Sequence, residues 1–345
     1  MKTKLKDVAE KAGVSLATAS LALAGKGRIS RDVRAKVIQA AKDLGYKRKD
    51  KSADIQNNRV HTIGILLYVD DIWAFIWVFI RPIIEEIDRI MKNQGINTVI
   101  LPIHHNSSRQ EIIEKVQKAN VQALISIHYG DESVFNSLEE MNIPVVIAVN
   151  NDFQDKFYSV CVDDFQCAYE GTMHLVKLGH KHLCYIACDR PDLPALLNDR
   201  NFGFRKALEE SKIIFPHENR IHFDLNNLSQ LKRKLEPLFK KAKPPTGIFC
   251  LDDDIAFRVI RVLEELGLSV PDDVSVIAPG DVLDYELPHI PKITTMKINT
   301  TYMGTIICQM LMNRIRHNPE DLHVLKVKHQ LVKRGTCAPV KENLQ

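Results

Sequence analysis

The chain has 345 residues, 45% of them hydrophobic, an ordinary globular composition with room for two or three domains. Formal net charge is only +4, but residues 1–51 hold fourteen Lys and Arg against five Asp and Glu, while the remaining residues hold 33 against 38. A polyanionic partner is therefore expected for the first segment alone, and no apolar run is long enough to suggest a membrane span.

The opening MKTKLKDVAEKAG lacks the apolar stretch of a signal peptide. The seven cysteines are scattered without a Cys-x-x-Cys pair and read as reduced thiols, so a cytoplasmic location is expected. Leu5, Val8, Ala9 and Ala12 fall at helical spacing, and Gly13 ends the run. Ser15 is a good N-cap for a second helix from Leu16 to about Ala24. Gly25 and Gly27 break the chain, Ser30 caps a third helix, and Val33, Val37, Ala40, Ala41 and Leu44 form its apolar stripe. Three short helices with a Gly-containing turn between the first two describe a helix-turn-helix. Two decoys lose to this account. Gly25–Ser30 approximates a Gly-x-Gly-x-x-Gly loop but follows a helix rather than a strand, and Gly13–Ala17 lacks the strand and second Gly of a nucleophile elbow.

KLKDVAEKAGVSLATASLALAGKGRISRDVRAKVIQAAKDLGYK resembles the headpiece of the lac repressor (LacI/GalR) family of bacterial transcription regulators. The resemblance implies that Leu16, Ala17 and Leu21 point into the DNA major groove. Many members carry Arg where Leu21 stands. Apolar side chains there can contact thymine methyls and exclude mismatched groups. Thr3, Ser15, Thr18, Ser20 and Ser30 are then expected on phosphates, where they set register without reading sequence. The resemblance also implies a hinge over residues 47–60 that folds on DNA and drives an apolar wedge into the minor groove. Ile55 occupies that wedge position.

From residue 61 the pattern alternates apolar strands with helices, and after VCVDD the rhythm restarts, with helices expected over 165–178, 202–210 and 255–266. This predicts an α/β core of two parallel-sheet lobes, with ligands beyond the carboxyl ends of the strands. The strings VCVDDFQCAYEGTMHLVKLGHKHLCYIA, RNFGFRKAL, FCLDDDIAF and GLSVPDDVSVIA resemble the periplasmic-binding-protein-like core of the same family. The expected organisation is a headpiece over 1–46, a hinge over 47–60 and an effector-binding and dimerisation core over 61–345. Within that core the N-lobe takes about 61–160 and 293–325, and the C-lobe about 161–292 and 326–340.

The resemblance nominates Trp73, Phe75, Arg200, Asp253 and Asp281 for the effector cleft, with His128, Tyr129 and Asn150 as weaker candidates. An aromatic can stack on a sugar face, and a guanidinium can bridge hydroxyls or carboxylates. Each has a plainer rival: Trp73 and Phe75 as core or dimer surface, Arg200 as a surface ion pair. Three consecutive carboxylates at Asp252–Asp254 cannot all face one metal ion from a strand end. His180, His182 and Cys184 alternate as zinc ligands on a strand would, yet they read as a structural His and a core Cys.

The expectation is a homodimeric transcription regulator, most often a repressor in this family. It would act on a near-palindromic double-stranded DNA operator under the control of a small effector, a sugar or sugar derivative. No cofactor, metal or catalysis is expected. The rival reading, a sugar-acting or metal-dependent enzyme with an accessory DNA-binding domain, needs a nucleophile, an acid–base pair or a metal set, and none stands out.

Overall fold

The computed structural model describes residues 5–23, 29–44, 60–69, 74–188, 194–317, 321 and 323–341, apart from the side chains of 17, 31, 74–76 and 194–196. The chain divides into two compact units, Met1–Asn57 and Asn58–Gln345.

The first unit holds α1 (Leu5–Ala12), α2 (Leu16–Leu23) and α3 (Arg31–Asp43). Val8, Ala9, Ala19, Ala22, Val37, Ala40 and Ala41 form its core. The small residues let three short helices approach closely, and they leave little apolar area to bury. Gly13 turns the chain between α1 and α2 at φ +66°, a conformation costly for a residue with a Cβ. The Val14 N–H donates to the Ala9 carbonyl at 3.0 Å, which closes the end of α1.

The second unit is built on two six-stranded sheets. The first contains β1 (Thr62–Tyr68), β2 (Asn97–Ile103), β3 (Ala123–Ile127), β4 (Val145–Ala148), β5 (Ser159–Val162) and β11 (Val324–Val327), in the order β11-β5-β4-β3-β1-β2, all pairs parallel. The second contains β6 (Leu183–Cys188), β7 (Arg220–Phe223), β8 (Gly247–Cys250), β9 (Ser275–Gly280), β10 (Thr294–Lys297) and β12 (Gln330–Val332), in the order β12-β10-β9-β8-β6-β7. Only the β10–β12 pair is antiparallel. β3, β4, β5, β6 and β8 are buried along their whole length, as continuous apolar runs must be when helices cover both faces of a parallel sheet.

The connecting helices are α4 (Ala74–Asn93), α5 (Arg109–Ala119), α6 (Glu132–Glu140), α7 (Asp164–Lys177), α8 (Pro194–Glu210), α9 (Leu228–Phe239), α10 (Asp253–Glu265) and α11 (Thr300–His317). Two sequence expectations need correction. Residues 294–297, expected with the N-lobe, pair as β10 beside β9 in the second sheet. Thr294, Thr295 and Met296 are buried where the strand fills the place between β9 and β12, so the chain returns to the first sheet with α11, which packs against α4 and β4, and then with β11. The helix expected from residue 202 begins at Pro194, whose fixed φ and missing N–H suit a first helical turn. Arg200 therefore stands inside a helix and not in a strand-end loop.

Candidate DNA-reading face and intersheet junction

In the first unit, Ser15 Oγ accepts the Thr18 N–H at 3.1 Å and lies 2.8 Å from Thr18 Oγ1. This is the expected cap of α2, and it satisfies one of the N–H groups that a helix start leaves unpaired. Ser30 Oγ likewise accepts from Val33 at the start of α3. With Ala19 and Ala22 turned into the core, Leu16 and Leu21 are left 53% and 44% exposed, and Ser20 is exposed beside them. α2 thus offers solvent two large aliphatic side chains with no burial role of their own. Ala17 lies in the helix with its side chain outside the description, and Thr3 and Ile55 lie outside the described residues altogether.

In the second unit, Arg200 is buried. Its Nε–H donates to Asp164 Oδ1 at 2.7 Å, and Nη1 donates to the Leu251 carbonyl. Asp164 opens α7 directly after β5, and Leu251 follows β8, so one guanidinium joins the carboxyl ends of strands from both sheets. Burial pushes the Asp164 carboxyl upward and the adjacent Arg200 charge pulls it back. Burial likewise opposes the Arg200 charge, and Asp164 outweighs it. Asn151, just beyond β4, donates through Nδ2 to Asp164 Oδ2 at 3.3 Å and to Asp199 Oδ2 at 3.1 Å. Asp199 precedes Arg200 on α8, so this amide ties the first sheet to a helix of the second. His329 lies on the segment between β11 and β12 and keeps a buried Nδ1 without a hydrogen-bond partner among the described residues. Burial, reinforced by the Arg200 charge, pushes its imidazole down to about 3 and keeps it neutral.

Asp253 and Asp281 were expected to face the cleft; both are turned inward. Asp253 is 1% exposed. Its Oδ2 accepts the backbone N–H groups of Asp281 at 2.9 Å and Val282 at 2.8 Å, which pins the loop after β9. Gly280, at φ +140°, lies so close that an added Cβ would collide with this carboxylate. Burial, together with the neighbouring Asp252 charge, pushes Asp253 up to about 7 against those hydrogen bonds. Asp281 adopts φ +77° and pairs with Arg334 at 2.5 Å and Lys297 at 2.6 Å. Arg334 also lies 4.1 Å over the Tyr285 ring. The acidic triplet is divided among three partners: Asp252 caps α10 on the Ile255 N–H, Asp253 clamps the loop, and Asp254 pairs with Arg258 at 3.0 Å.

The remaining candidates are structural or outside view. His128 Nδ1 lies 3.2 Å from the Val149 carbonyl, and Asn150 bridges the His128 carbonyl and the Asp152 N–H. Tyr129 packs edge-on against Phe135. Trp73 is outside the described residues, and Phe75 lies in α4 with its side chain undescribed. His180 bonds Thr246 Oγ1 and the Ala338 carbonyl, each at 3.0 Å, while Cys184 sits in the core. Among the described residues, no group of three or more His, Cys, Asp or Glu could hold a metal ion. No described helix is long and apolar enough to cross a membrane. All seven cysteines are free.

The sequence reasoning missed Asn151, Asp164, Asp199 and His329. The available signal was position: Asn150-Asn151 and Asp163-Asp164 are polar pairs set directly after apolar strand runs.

Residues 4–49 match the profile described as bacterial regulatory proteins, lacI family, and residues 172–337 match a periplasmic binding protein-like domain. The chain belongs to the lacI family of bacterial regulatory proteins. This family member is 27% identical to the HTH-type transcriptional regulator RegA of Clostridium saccharobutylicum over 97% of this chain and 99% of that protein. Its fold matches a CelR–cellobiose complex with a TM-score of 0.67 at 21% identity, covering 97% and 99% of the two chains. It also matches a lac repressor dimer bound to operator and the anti-inducer ONPF, with a TM-score of 0.65 at 22% identity over 98% and 100%. The chain is a DNA-binding transcription regulator.

Proposed function

We propose that this regulator is a cytoplasmic repressor that binds a near-palindromic operator as a homodimer and answers to a small effector held between the two sheets, without catalysing a reaction. The observation that carries the reading is the joint layout of Leu16 and Leu21, exposed on a helix whose other face is core, and of Arg200, buried at the junction of the sheets. Leu16, Ala17 and Leu21 read thymine methyls and shape in the major groove. Thr3, Ser15, Thr18, Ser20 and Ser30 set the register on phosphates. Ile55 acts as the minor-groove wedge.

Arg200, Asp164 and Asn151 form the element through which effector binding is felt. Ligand hydroxyls compete for bonds that now join α8 to the strand ends of the first sheet, and so bias one arrangement of the sheets over another. Trp73 and Phe75 contribute a stacking face, while Asp253 and Asp281 hold the loop that borders the site. The sugar class is supported by the cellobiose named with CelR, and the dimer by the operator-bound lac repressor dimer.

Selection of random duplex DNA by the full-length protein tests this reading. An inverted repeat, lost when residues 47–60 are deleted and altered by one member of a panel of sugars and sugar phosphates, is the expected result. Recovery of single, unrepeated sites would overturn the dimer, and turnover of a panel member would overturn the non-enzymatic reading.

A further inference from the structure

On the second sheet, away from the junction residues, α8 and the start of β7 enclose a concavity of about 400 Å³. Asn201 and Arg205 enter it from α8, Ile213 and Phe215 from the following connection, His217 from a short 3₁₀ turn, and Arg220 from the first residue of β7. The size falls within the range of small-molecule sites, roughly 300–1,000 Å³.

Three features point to a ligand. Asn201 is only 7% exposed, yet its amide makes no hydrogen bond to any described residue. The amide keeps access to solvent where it lines the concavity, so its donor and its acceptor are both free to meet a ligand. Arg205 and Arg220 have no carboxylate within ion-pair distance among the described residues. Glu209 also lines the concavity and is paired with Lys206 at 3.7 Å, while the nearby Glu210 bonds Tyr169 at 2.7 Å and Glu218 pairs with Lys241 at 3.1 Å. The floor is apolar and rigid, because Phe215 packs edge-on against Phe204 at 5.1 Å and Phe204 lies 5.1 Å from the buried Tyr185 ring.

We propose that this concavity is a second small-molecule site, separate from the intersheet junction, for an organic anion with a flat apolar body. The two guanidinium groups take the anionic head, since Arg presents a planar fork to carboxylate or phosphate. Asn201 bonds a polar substituent or a head-group oxygen, and Ile213 and Phe215 cover the body. The site rests on its own residues and stands whether or not the sugar reading of the junction holds.

The test is calorimetric titration of the full-length protein with benzoate and phenyl phosphate. Inorganic phosphate serves as the head alone and benzyl alcohol as the body alone. One of the two organic anions should bind at least about tenfold more tightly than either control, a difference of about 1.4 kcal/mol. Which one wins distinguishes a carboxylate from a phosphate ligand. Arg205→Gln and Arg220→Gln change exposed side chains and should each weaken binding about tenfold without loss of fold. Asn201→Leu should weaken it as well. No binding of either organic anion, equal binding of inorganic phosphate, or binding unchanged in the Arg205→Gln/Arg220→Gln double variant would each overturn the proposal.

Discussion

The two units treat side chains in opposite ways. In the headpiece the candidate base-reading residues are apolar and exposed: Leu16 and Leu21 face solvent while alanines with Val8 and Val37 fill the core. In the α/β unit they are charged and buried, and Arg200, Asp253 and Asp281 all have protein partners. A surface apolar residue with no packing role marks an interaction face. A buried charge marks a commitment, because removing its partner strands the other member. The reading face should therefore tolerate substitution at little cost to the fold, and the junction should not.

The largest expected effect tests the second half of that contrast. Arg200→Leu leaves Asp164 buried beside a lost guanidinium and should destabilise the α/β unit by about 3–5 kcal/mol, read by urea unfolding. Adding Asp164→Leu should restore most of the loss. A single-variant cost below about 1 kcal/mol would mean that the pair is surface-like after all.

Asp253 sharpens the same point through pH. Its folded carboxyl titrates near 7, above its ordinary value of 3.8, so between these values the folded state holds more protons than the unfolded state. Stability from this group is therefore present below about pH 4 and lost as pH rises through 7, a span worth a few kcal/mol at about 1.4 kcal/mol per unit. Asp253→Asn cannot titrate. Wild-type stability measured against that variant should fall from pH 4 to pH 8, and a flat difference would show that the loop hydrogen bonds offset burial completely.

On the other side of the contrast, Leu21→Arg should change unfolding free energy by less than about 0.5 kcal/mol. It should also move base preference toward guanine by about 1–3 kcal/mol per half-site. Selected DNA sites compared between the two proteins would show this. An unaltered preference would remove residue 21 from the reading face.

How much of this was legible in the sequence follows from how local each feature is. The helix-turn-helix depends on contacts a few residues apart: Ser15 with Thr18, Ser30 with Val33, and an apolar stripe at helical spacing. The alternation of strands and helices was legible for the same reason. The role of Asp253 was not, because its partners lie 28 and 29 residues away. Nor was the Arg200–Asp164 pair, which spans 36 residues and two sheets. The first two turns of α8 were missed because Leu-Asn-Asp-Arg carries no clear apolar period. The resemblance placed Arg200, Asp253 and Asp281 at strand ends, but only the fold shows which protein groups occupy them.

The smallest effect separates two roles of one hydroxyl. Ser15 caps α2, and it is also proposed to touch a phosphate. Ser15→Ala removes both and should cost the headpiece about 1 kcal/mol, seen as faster hydrogen exchange of the α2 amides. Ser15→Asp caps a helix about as well as Ser and adds charge where the helix dipole favours it, so it should keep the amides protected. On DNA the same carboxylate meets phosphate at close range and should weaken binding to operator and random duplex alike, since phosphate contacts carry no sequence. Protection retained with affinity lost places the Ser15 hydroxyl on the backbone of the DNA. Protection and affinity both retained would confine Ser15 to capping and leave the register of the headpiece to Thr18, Ser20 and Ser30.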